Sequence, residues 1–318
     1  MRPARDWTRD HIGDLTGRQV LITGANSGIG FETAQLLADR GATVTLGCRD
    51  AKRGHDALER VRAAVPDAQI QLLELDLADL ASVTAAAERW RADHDRLDVL
   101  INNAGVMAPP LRRTSDGFEL QFGVNHLGHF ALTGRLLDAL LAADQPRVVT
   151  VSSLAHQMGE IAFDDLNWTH RRYRAFKAYA QSKLANLLFT FELQRRSVAA
   201  GVVLDALAAH PGYAATELQA RGPQMRGAAL TERLSSLANR LFAQDAAHGA
   251  LPTVVAATRP DAQGADYWGP DGRFGTRGLP ARTPVSAAAT DLTAAAQLWD
   301  RSEQLTGVTY DALRTTST

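Results

Sequence analysis

The 318-residue sequence contains a single cysteine, Cys48, no long apolar run and almost no net charge. One cysteine cannot form an intrachain disulfide, and it excludes a zinc site built on several cysteines. The 34 Lys and Arg residues nearly balance the 35 Asp and Glu residues, which argues against electrostatic binding to nucleic acid. A membrane span would need about 18 consecutive apolar residues, and the sequence has no such run. We therefore expect a cytoplasmic protein with no nucleic-acid partner and no membrane span.

What the sequence does contain is an alternation of strand-like and helix-like segments. Short β-branched and aliphatic runs predict strands, and longer segments with apolar residues at helical spacing predict helices. The predicted strands span residues 19–23, 43–47, 70–75, 99–101, 148–151 and 202–208, and the predicted helices span residues 28–40, 51–64, 80–90, 117–141, 179–198 and 287–298. Strands separated by helices of this length are joined by crossovers. The predicted fold class is therefore α/β, a Rossmann-type doubly wound parallel sheet with helices on both faces.

We predict one domain over residues 1–318. Residues 15–212 would form the cofactor-binding and catalytic core, and residues 213–318 a small C-terminal substrate-lid region. Within that region, residues 220–241 carry a helical signal that fits a lid, and a Gly/Pro-rich run follows at residues 264–284. Neither this run nor the helical segment over residues 287–298 that follows it is long enough to fold alone.

A glycine-rich turn, Thr23-Gly24-Ala25-Asn26-Ser27-Gly28-Ile29-Gly30, directly follows the first strand. Glycines let a backbone approach a pyrophosphate closely, and the helix N-terminus that follows stabilises its charge. The spacing is G-x3-G-x-G rather than the commoner G-x-G-x-x-G, and glycine turns between a strand and a helix are also frequent on structural grounds. The turn predicts a dinucleotide site but does not establish one alone.

The second predicted strand ends in Cys48-Arg49-Asp50. An acid at this position selects the ribose 2′-hydroxyl of NAD, whereas an arginine accommodates the 2′-phosphate of NADP. Arg49 is the nearer candidate, so NADP(H) is the preferred cofactor and NAD(H), selected by Asp50, stays possible. The alternative reading is a solvated Arg49 with Asp50 as the N-cap of the next helix.

Tyr179 and Lys183 are four residues apart on a predicted helix, so their side chains share one face. A phenol has a pKa of about 10, too high for a base at neutral pH, and a neighbouring ammonium is expected to lower it. Together the two residues could exchange a proton with a substrate. Taken alone, a Y-x-x-x-K spacing is also typical of an ordinary helix surface.

Three further polar residues lie where ligands bind in open α/β sheets or where a polar group is unexpected. Ser152 and Ser153 follow a predicted strand, where a hydroxyl could hold a carbonyl oxygen or simply cap a loop. Asn125 lies among apolar residues of a predicted helix, and a buried amide must find partners. A structural role and a role in holding water are both open for Asn125.

Taken together, these residues resemble the short-chain dehydrogenase/reductase family over nearly the whole chain. The resemblance is carried by the turn from Thr23 to Gly30, Asn102-Asn103-Ala104-Gly105, Asn125, Ser152-Ser153, and Tyr179 with Lys183. Pro211-Gly212 with Thr216 resembles the family segment that closes over the nicotinamide, and Asp76-Leu77 resembles its adenine contact.

The resemblance implies a hydride transfer between nicotinamide and a carbinol or carbonyl carbon of a small lipophilic substrate. Tyr179 would be the acid/base, Ser153 would orient the substrate oxygen, Lys183 would bind the nicotinamide ribose and lower the pKa of Tyr179, and Asn125 would hold a relay water. The implied cofactor contacts are Thr23, Gly24, Ser27, Gly28, Ile29, Gly30, Arg49, Asp76, Leu77, Asn103, Ala104, Gly105, Tyr179, Lys183, Pro211, Gly212 and Thr216. A homodimer or homotetramer, built on the helices over residues 117–141 and 179–198, is also implied.

Within the family, the sequence is most similar to the retinol dehydrogenase and WW-domain oxidoreductase branch. The shared features are Cys48-Arg49-Asp50, Val151-Ser152-Ser153-Leu154-Ala155-His156, Phe163-Asp164-Asp165-Leu166 and Ser182-Lys183-Leu184-Ala185-Asn186. The alternative function is a catalytically silent dinucleotide-binding regulator on the same fold. A sugar-nucleotide epimerase or dehydratase is a third possibility, but those relatives usually carry a G-x-x-G-x-x-G turn.

Two other patterns lead to weaker hypotheses. His126 and His129 have an H-x-x-H spacing, but without an acid motif or a cysteine partner no metal site is predicted. Four aromatic residues in the second half of the sequence could line an apolar substrate pocket or pack in the core. These residues are Trp168, Tyr213, Tyr267 and Trp268.

Overall fold

The computed structural model describes residues 8–212 and 246–314, and eight strands of these residues form one sheet. The strands are β1 (Gln19–Thr23), β2 (Thr43–Cys48), β3 (Ile70–Glu74), β4 (Val99–Asn102), β5 (Arg147–Val151), β6 (Asp205–Ala209), β7 (Tyr267–Pro270) and β8 (Pro280–Arg282). Their order across the sheet is β3-β2-β1-β4-β5-β6-β7-β8. All neighbours pair in parallel except β7 and β8, which are antiparallel.

Helices cover both faces of this sheet. They are α1 (Gly28–Ala38), α2 (Ala51–Ala64), α3 (Leu80–Asp93), α4 (Leu120–Phe122), α5 (Gly128–Arg135), α6 (Leu137–Leu141), α7 (Ala175–Ala199), α8 (Ala246–Thr258) and α9 (Leu292–Thr306). One core holds side chains of α1, α2 and α8, and the opposite core holds side chains of α3, α5 and α9. This arrangement confirms the predicted doubly wound fold and its single domain.

The segment predicted as one helix over residues 117–141 is divided into several pieces. It consists of α4, a π-helical turn over Gly123–Leu127, α5, and α6, with a break at Leu136. Tertiary packing accompanies the first interruption, because a Cβ at Gly128 would lie 2.6 Å from the carbonyl oxygen of Leu77. The prediction of one continuous helix was therefore wrong.

The C-terminal part differs more from the sequence-based expectation. The strand predicted at residues 202–208 begins only at Asp205, and the Gly/Pro-rich run contains β7 and β8. Helix α8 was not predicted, and it includes Pro252. The expected lid at residues 220–241, together with Tyr213 and Thr216, lies outside the described residues. Among the helices in the described part of the chain, none combines the length and the apolar character that crossing a membrane requires.

Candidate active site

Most of the predicted cofactor residues follow the carboxyl ends of neighbouring parallel strands, so the sheet brings them to one edge. The direction of strand addition reverses between β1 and β4, and such a switch point is where ligands bind in open α/β sheets. The Gly24 amide donates to the carbonyl of Gly47 at the end of β2 (2.7 Å), and the Ser152 amide donates to the carbonyl of Ala209 at the end of β6 (2.7 Å). These bonds align four chain segments along the same edge.

The glycine turn lies directly against the loop that follows β4. Gly24 has a φ of +66°, and a Cβ on it would lie 2.9 Å from the Cα of Ala104. A Cβ on Gly30 would lie 2.4 Å from Asn103 Nδ2 and 2.6 Å from the carbonyl oxygen of Gly24. Larger residues at these positions would push the turn and the loop apart.

Helix α1 opens toward this edge with an uncapped N-terminus. Ser27 is the N-cap residue, and its side chain accepts no hydrogen bond from the first turn. The first-turn residues Gly28 and Ile29 are half-buried. Backbone N–H groups and the dipole of a helix N-terminus favour a phosphate here, so the turn fits a dinucleotide pyrophosphate.

Thr23 holds the loop after β4 in place. Its hydroxyl oxygen accepts hydrogen bonds from the amides of Asn103 (3.0 Å) and Ala104 (2.9 Å). The side-chain amide of Asn103 in turn donates to the carbonyl oxygen of Thr23 (2.8 Å). The predicted cofactor residues of β1 and β4 are therefore locked to one another, and the buried hydroxyl of Thr23 acts through this loop.

Asp50 and Arg49, the two candidates for cofactor selection at the end of β2, have different surroundings. Asp50 accepts a hydrogen bond from the amide of Arg53 (3.0 Å) and so acts as the N-cap of α2. Arg49 is exposed, and it forms no ion pair with the part of the chain that the structure describes. Asp76 and Leu77 follow β3 at the same edge, where an Asp76 carboxylate oxygen accepts from the amide of Ala78 (2.9 Å).

Tyr179 and Lys183 lie on the buried face of α7, beside the ends of β4 and β5. The Lys183 ammonium donates to the carbonyl oxygen of Val151 (2.9 Å), and its Nζ is 5.8 Å from the centroid of the Tyr179 ring. A Cβ on Gly105 would lie 3.6 Å from Lys183 Nζ and 3.3 Å from Asn125 Oδ1. The structure thus brings the predicted residues Gly105, Asn125, Tyr179 and Lys183 together.

Ser152 and Ser153 are distinct in their surroundings. The Ser152 hydroxyl is buried and donates to the carbonyl oxygen of Lys183 (2.8 Å). Ser153 is half-buried, its hydroxyl oxygen accepts from the amide of Ala155 (3.2 Å), and its side chain lies close enough to Tyr179 to affect the pKa of that phenol. The surroundings of Ser153 favour it as the serine that meets a substrate, while Ser152 anchors the backbone of α7.

Burial dominates the protonation of the two central groups. It raises the pKa of Tyr179 to about 12, and the Ser153 side chain acts against this rise. Burial lowers the pKa of Lys183 to about 8. The direction for Tyr179 is opposite to the one predicted from the sequence, because removal of the phenolate from water is the largest cause.

The side-chain amide of Asn125 is fully used inside the protein. Its oxygen accepts from the amide of Val106 (2.8 Å), and its nitrogen donates to the carbonyl of Val106 (3.0 Å) and to Ser182 Oγ (2.9 Å). Of the two roles considered for Asn125, these hydrogen bonds therefore show the structural one. A role in holding water would fall to the main-chain carbonyl of Asn125.

Pro211 and Gly212 follow β6 beside Ser153, as expected for a segment at the cofactor edge. Gly212 has a φ of +66°, and its amide donates to Nδ1 of the buried His210 (3.1 Å). His210 belongs to no motif in the sequence and was not predicted, and Ser182 was part of a quoted motif without a predicted role. A signal was available for His129, which stands one helical turn after Asn125 among apolar residues.

The H-x-x-H pair does not converge on a common point. His126 Nε2 lies 2.8 Å from Ser302 Oγ, whereas His129 Nε2 lies 2.8 Å from Thr23 Oγ1. Across residues 8–212 and 246–314, no three His, Cys, Asp or Glu side chains form a group suited to a metal ion. Of the candidate pocket aromatics, Trp168, Tyr267 and Trp268 are buried.

Comparisons with known proteins agree with this geometry. The model of the short chain dehydrogenase family matches residues 18–227. Human retinol dehydrogenase 13 is 41% identical over 300 residues, which cover 94% of this chain and 88% of the relative. A solved protein from Mycobacterium paratuberculosis is 46% identical, with a TM-score of 0.79 over 96% of this chain and 98% of its own. A solved candidate NAD(P)-dependent gluconate 5-dehydrogenase from Beutenbergia cavernae, with NADP bound at low occupancy, is 26% identical, with a TM-score of 0.62 over 80% and 95% of the two chains.

The fold, the glycine turn and the Ser-Tyr-Lys arrangement define an oxidoreductase that uses a nicotinamide dinucleotide. The chain belongs to the short-chain dehydrogenase family and is similar to its retinol dehydrogenases.

Proposed function

We propose that this protein transfers a hydride between NADP(H) and the hydroxyl or carbonyl carbon of a lipophilic alcohol, aldehyde or ketone, with Tyr179 as general acid/base. The observation that carries the proposal is the arrangement of the buried Tyr179 and Lys183 with the half-buried Ser153, beside the loop that packs against the glycine turn. When bound, NADP(H) supplies or accepts the hydride at its nicotinamide ring.

The protein groups then handle the proton and the substrate oxygen. In carbonyl reduction, the Tyr179 phenol donates its proton to the substrate oxygen, and a pKa of about 12 keeps this phenol protonated at neutral pH. Ser153, whose side chain lies near the Tyr179 phenol, orients the same oxygen. The Lys183 ammonium donates one of its three hydrogens to the carbonyl oxygen of Val151, and the other two can be donated to the ribose hydroxyls. Because alcohol oxidation requires the phenolate, we expect its rate to rise with pH.

The surroundings of Tyr179 support a lipophilic substrate. Met107 packs against Tyr179 and Ala155, and the Phe176 ring lies 6.2 Å from the Tyr179 ring while remaining 46% exposed. The names of the retinol dehydrogenase relatives point to lipophilic substrates as well. An apolar substrate would gain by leaving water at this surface.

The preference for NADP(H) is supported by the division of roles at the end of β2. Asp50 is engaged as a helix cap, and Arg49 is exposed with its guanidinium free for a 2′-phosphate. The Beutenbergia cavernae protein offers a second line of support, since its structure holds NADP. We expect Arg49→Ala to weaken NADPH binding about 10- to 100-fold, because a charge-assisted hydrogen bond is lost. NADH binding should stay unchanged, and Arg89→Ala on the remote face of α3 is the control.

The chemistry is tested with Tyr179→Phe, which removes only the phenolic oxygen. We expect turnover on a panel of aldehydes, ketones and quinones to fall about 10²- to 10⁴-fold while NADPH still binds. Lys183→Ala should lower both nucleotide affinity and turnover. Full turnover by Tyr179→Phe would refute the assignment. Tight NADPH binding by the wild-type protein without turnover on any substrate would favour the silent regulator.

A further inference from the structure

His129 joins two parts of the site that the sequence keeps 106 residues apart. Its ring is buried, with Nε2 2.8 Å from the hydroxyl of Thr23 and Nδ1 3.0 Å from the main-chain carbonyl of Asn125. Thr23 holds the loop after β4, and Asn125 lies in the π-helical turn. One imidazole therefore connects Thr23, at the start of the glycine turn, to Asn125.

The neighbours of the ring determine which nitrogen carries the proton. The carbonyl oxygen of Asn125 can only accept, so Nδ1 must donate to it. The Thr23 hydroxyl oxygen already accepts two amide N–H groups, which leaves its single hydrogen free to be donated. The carbonyl of Ile101, at 3.4 Å, is a more distant acceptor than His129 Nε2. The network is complete only when His129 is neutral, with hydrogen on Nδ1 and an acceptor at Nε2.

The network also has a direction. Thr23 donates to His129, His129 donates to the Asn125 carbonyl, and the amides of Asn103 and Ala104 donate to Thr23. For the Thr23 hydrogen, His129 Nε2 at 2.8 Å is the nearer acceptor and the Ile101 carbonyl at 3.4 Å the more distant one. Any change that reverses one bond leaves a buried polar atom unpaired, which proteins avoid.

We propose that neutral His129 is a positioning residue for the reaction, because it fixes the loop of Asn103 and Ala104 and the carbonyl of Asn125 in one mutual arrangement. This inference rests on the proposed function, since it assigns His129 to the cofactor and proton-transfer parts of that same site. His129 does not touch the reacting atoms, and it acts through Thr23 and Asn125.

Two amide variants test separately the hydrogen bond of His129 with Asn125 and its hydrogen bond with Thr23. In His129→Asn, the short side-chain amide can replace Nδ1 as donor to Asn125 but cannot reach Thr23. In His129→Gln, the longer amide can reach Thr23 with its oxygen. We expect His129→Asn to raise the Kd for NADPH about tenfold and to spare kcat, and His129→Gln to lower kcat about tenfold and to spare that Kd.

His126→Phe is the matched control. His126 is equally buried and three residues away, but it contacts Ser302 and aromatic rings rather than the site. His129→Phe should lose a similar amount of thermal stability and, in addition, both NADPH affinity and kcat. If His129→Phe and His126→Phe had the same Kd, kcat and KM, a merely structural role would be shown and the proposal overturned.

A measurement without turnover addresses the tautomer. In ¹⁵N NMR of the imidazole nitrogens at pH 7, we expect His129 to give the signature of a neutral ring with hydrogen on Nδ1. A charged ring or hydrogen on Nε2 would overturn the proposed network. The Kd and NMR readouts do not depend on catalysis, so they separate this inference from the proposed function, which is decided by Tyr179→Phe.

Discussion

Replacing Gly30 with alanine would test how tightly the cofactor turn packs against the loop after β4. The added Cβ would lie 2.4 Å from Asn103 Nδ2 and 2.6 Å from the carbonyl oxygen of Gly24. Neither neighbour can move freely. The Gly24 oxygen belongs to the backbone, and the Asn103 amide is held by its hydrogen bond to the carbonyl of Thr23 (2.8 Å).

Two opposing contributions decide the sign of the change in the free energy of unfolding. Alanine is favoured over glycine within a helix by about 1 kcal/mol. Overpacking costs about 1–3 kcal/mol. Displacement of the Asn103 amide costs about 1 kcal/mol more, because its hydrogen bond to Thr23 is lost. The sum predicts that Gly30→Ala destabilises the protein by about 1–3 kcal/mol.

Urea denaturation followed by circular dichroism would measure this difference, and a fluorescence titration with NADPH would report the integrity of the turn. Gly13→Ala is the control, because a Cβ at Gly13 has nothing within 4 Å. We expect this control to stay within about 0.5 kcal/mol of the wild type. If Gly30→Ala unfolded at the same urea concentration as Gly13→Ala and bound NADPH normally, the packing argument would be refuted.

Two further predictions concern single buried groups. Cys48 is 2% exposed and burial raises its pKa to about 11, so a thiol reagent at pH 7 should label it only after denaturation; rapid labelling of the native protein would contradict this. Glu192 accepts short hydrogen bonds from Arg195 (2.6 and 2.7 Å) and Arg196 (2.7 Å), so Glu192→Gln should lower the free energy of unfolding by about 1–2 kcal/mol in urea titrations. An unchanged unfolding midpoint would show that this cluster contributes nothing.

The parts of the fold that could be predicted from the sequence are those that local patterns encode. Strands β1 to β5 and helices α1 to α3 have clear periodicity, and their predicted bounds agree with the structure to within three residues. The division of the helix at residues 117–141 is accompanied by the close approach of Leu77 to Gly128, which no local pattern shows. Strands β7 and β8 lie in a Gly/Pro-rich run. Because Gly and Pro are unfavourable inside strands, the composition of this run did not predict them.

The residues that form the site were predicted more completely than their pKa values and hydrogen bonds. Tyr179, Lys183 and Gly105 meet as expected, since Gly105 follows β4 and Tyr179 and Lys183 lie on α7, which follows the neighbouring strand β5. The raised pKa of Tyr179 could not be foreseen, because it follows from burial that only the folded structure reveals. The link through His129 was missed for a related reason, since Thr23 is remote from it in sequence.

Buried histidines make the stability of this protein depend on pH. Burial lowers the pKa of His126 to about 3, of His129 to about 4 and of His210 to about 3. In the unfolded chain these groups bind protons below about pH 6.5. Between pH 6.5 and about 4 the unfolded state therefore binds more protons than the folded state, so stability falls as the pH falls.

The slope is large enough to measure. Each such histidine removes roughly 1 kcal/mol of stability per pH unit below its unfolded pKa, and the three together remove roughly 3 kcal/mol per unit. Since a domain has only about 5–15 kcal/mol in total, we expect its urea midpoint to drop steeply from pH 6.5 to 5. In His126→Phe one proton-binding site is gone, and Phe122 and Phe130 offer the new ring an aromatic environment. The slope of this variant should be smaller than that of the wild type by roughly 1 kcal/mol per pH unit. A midpoint independent of pH over this range, or an unchanged slope in the variant, would mean that these rings are protonated in the folded state or exposed to solvent.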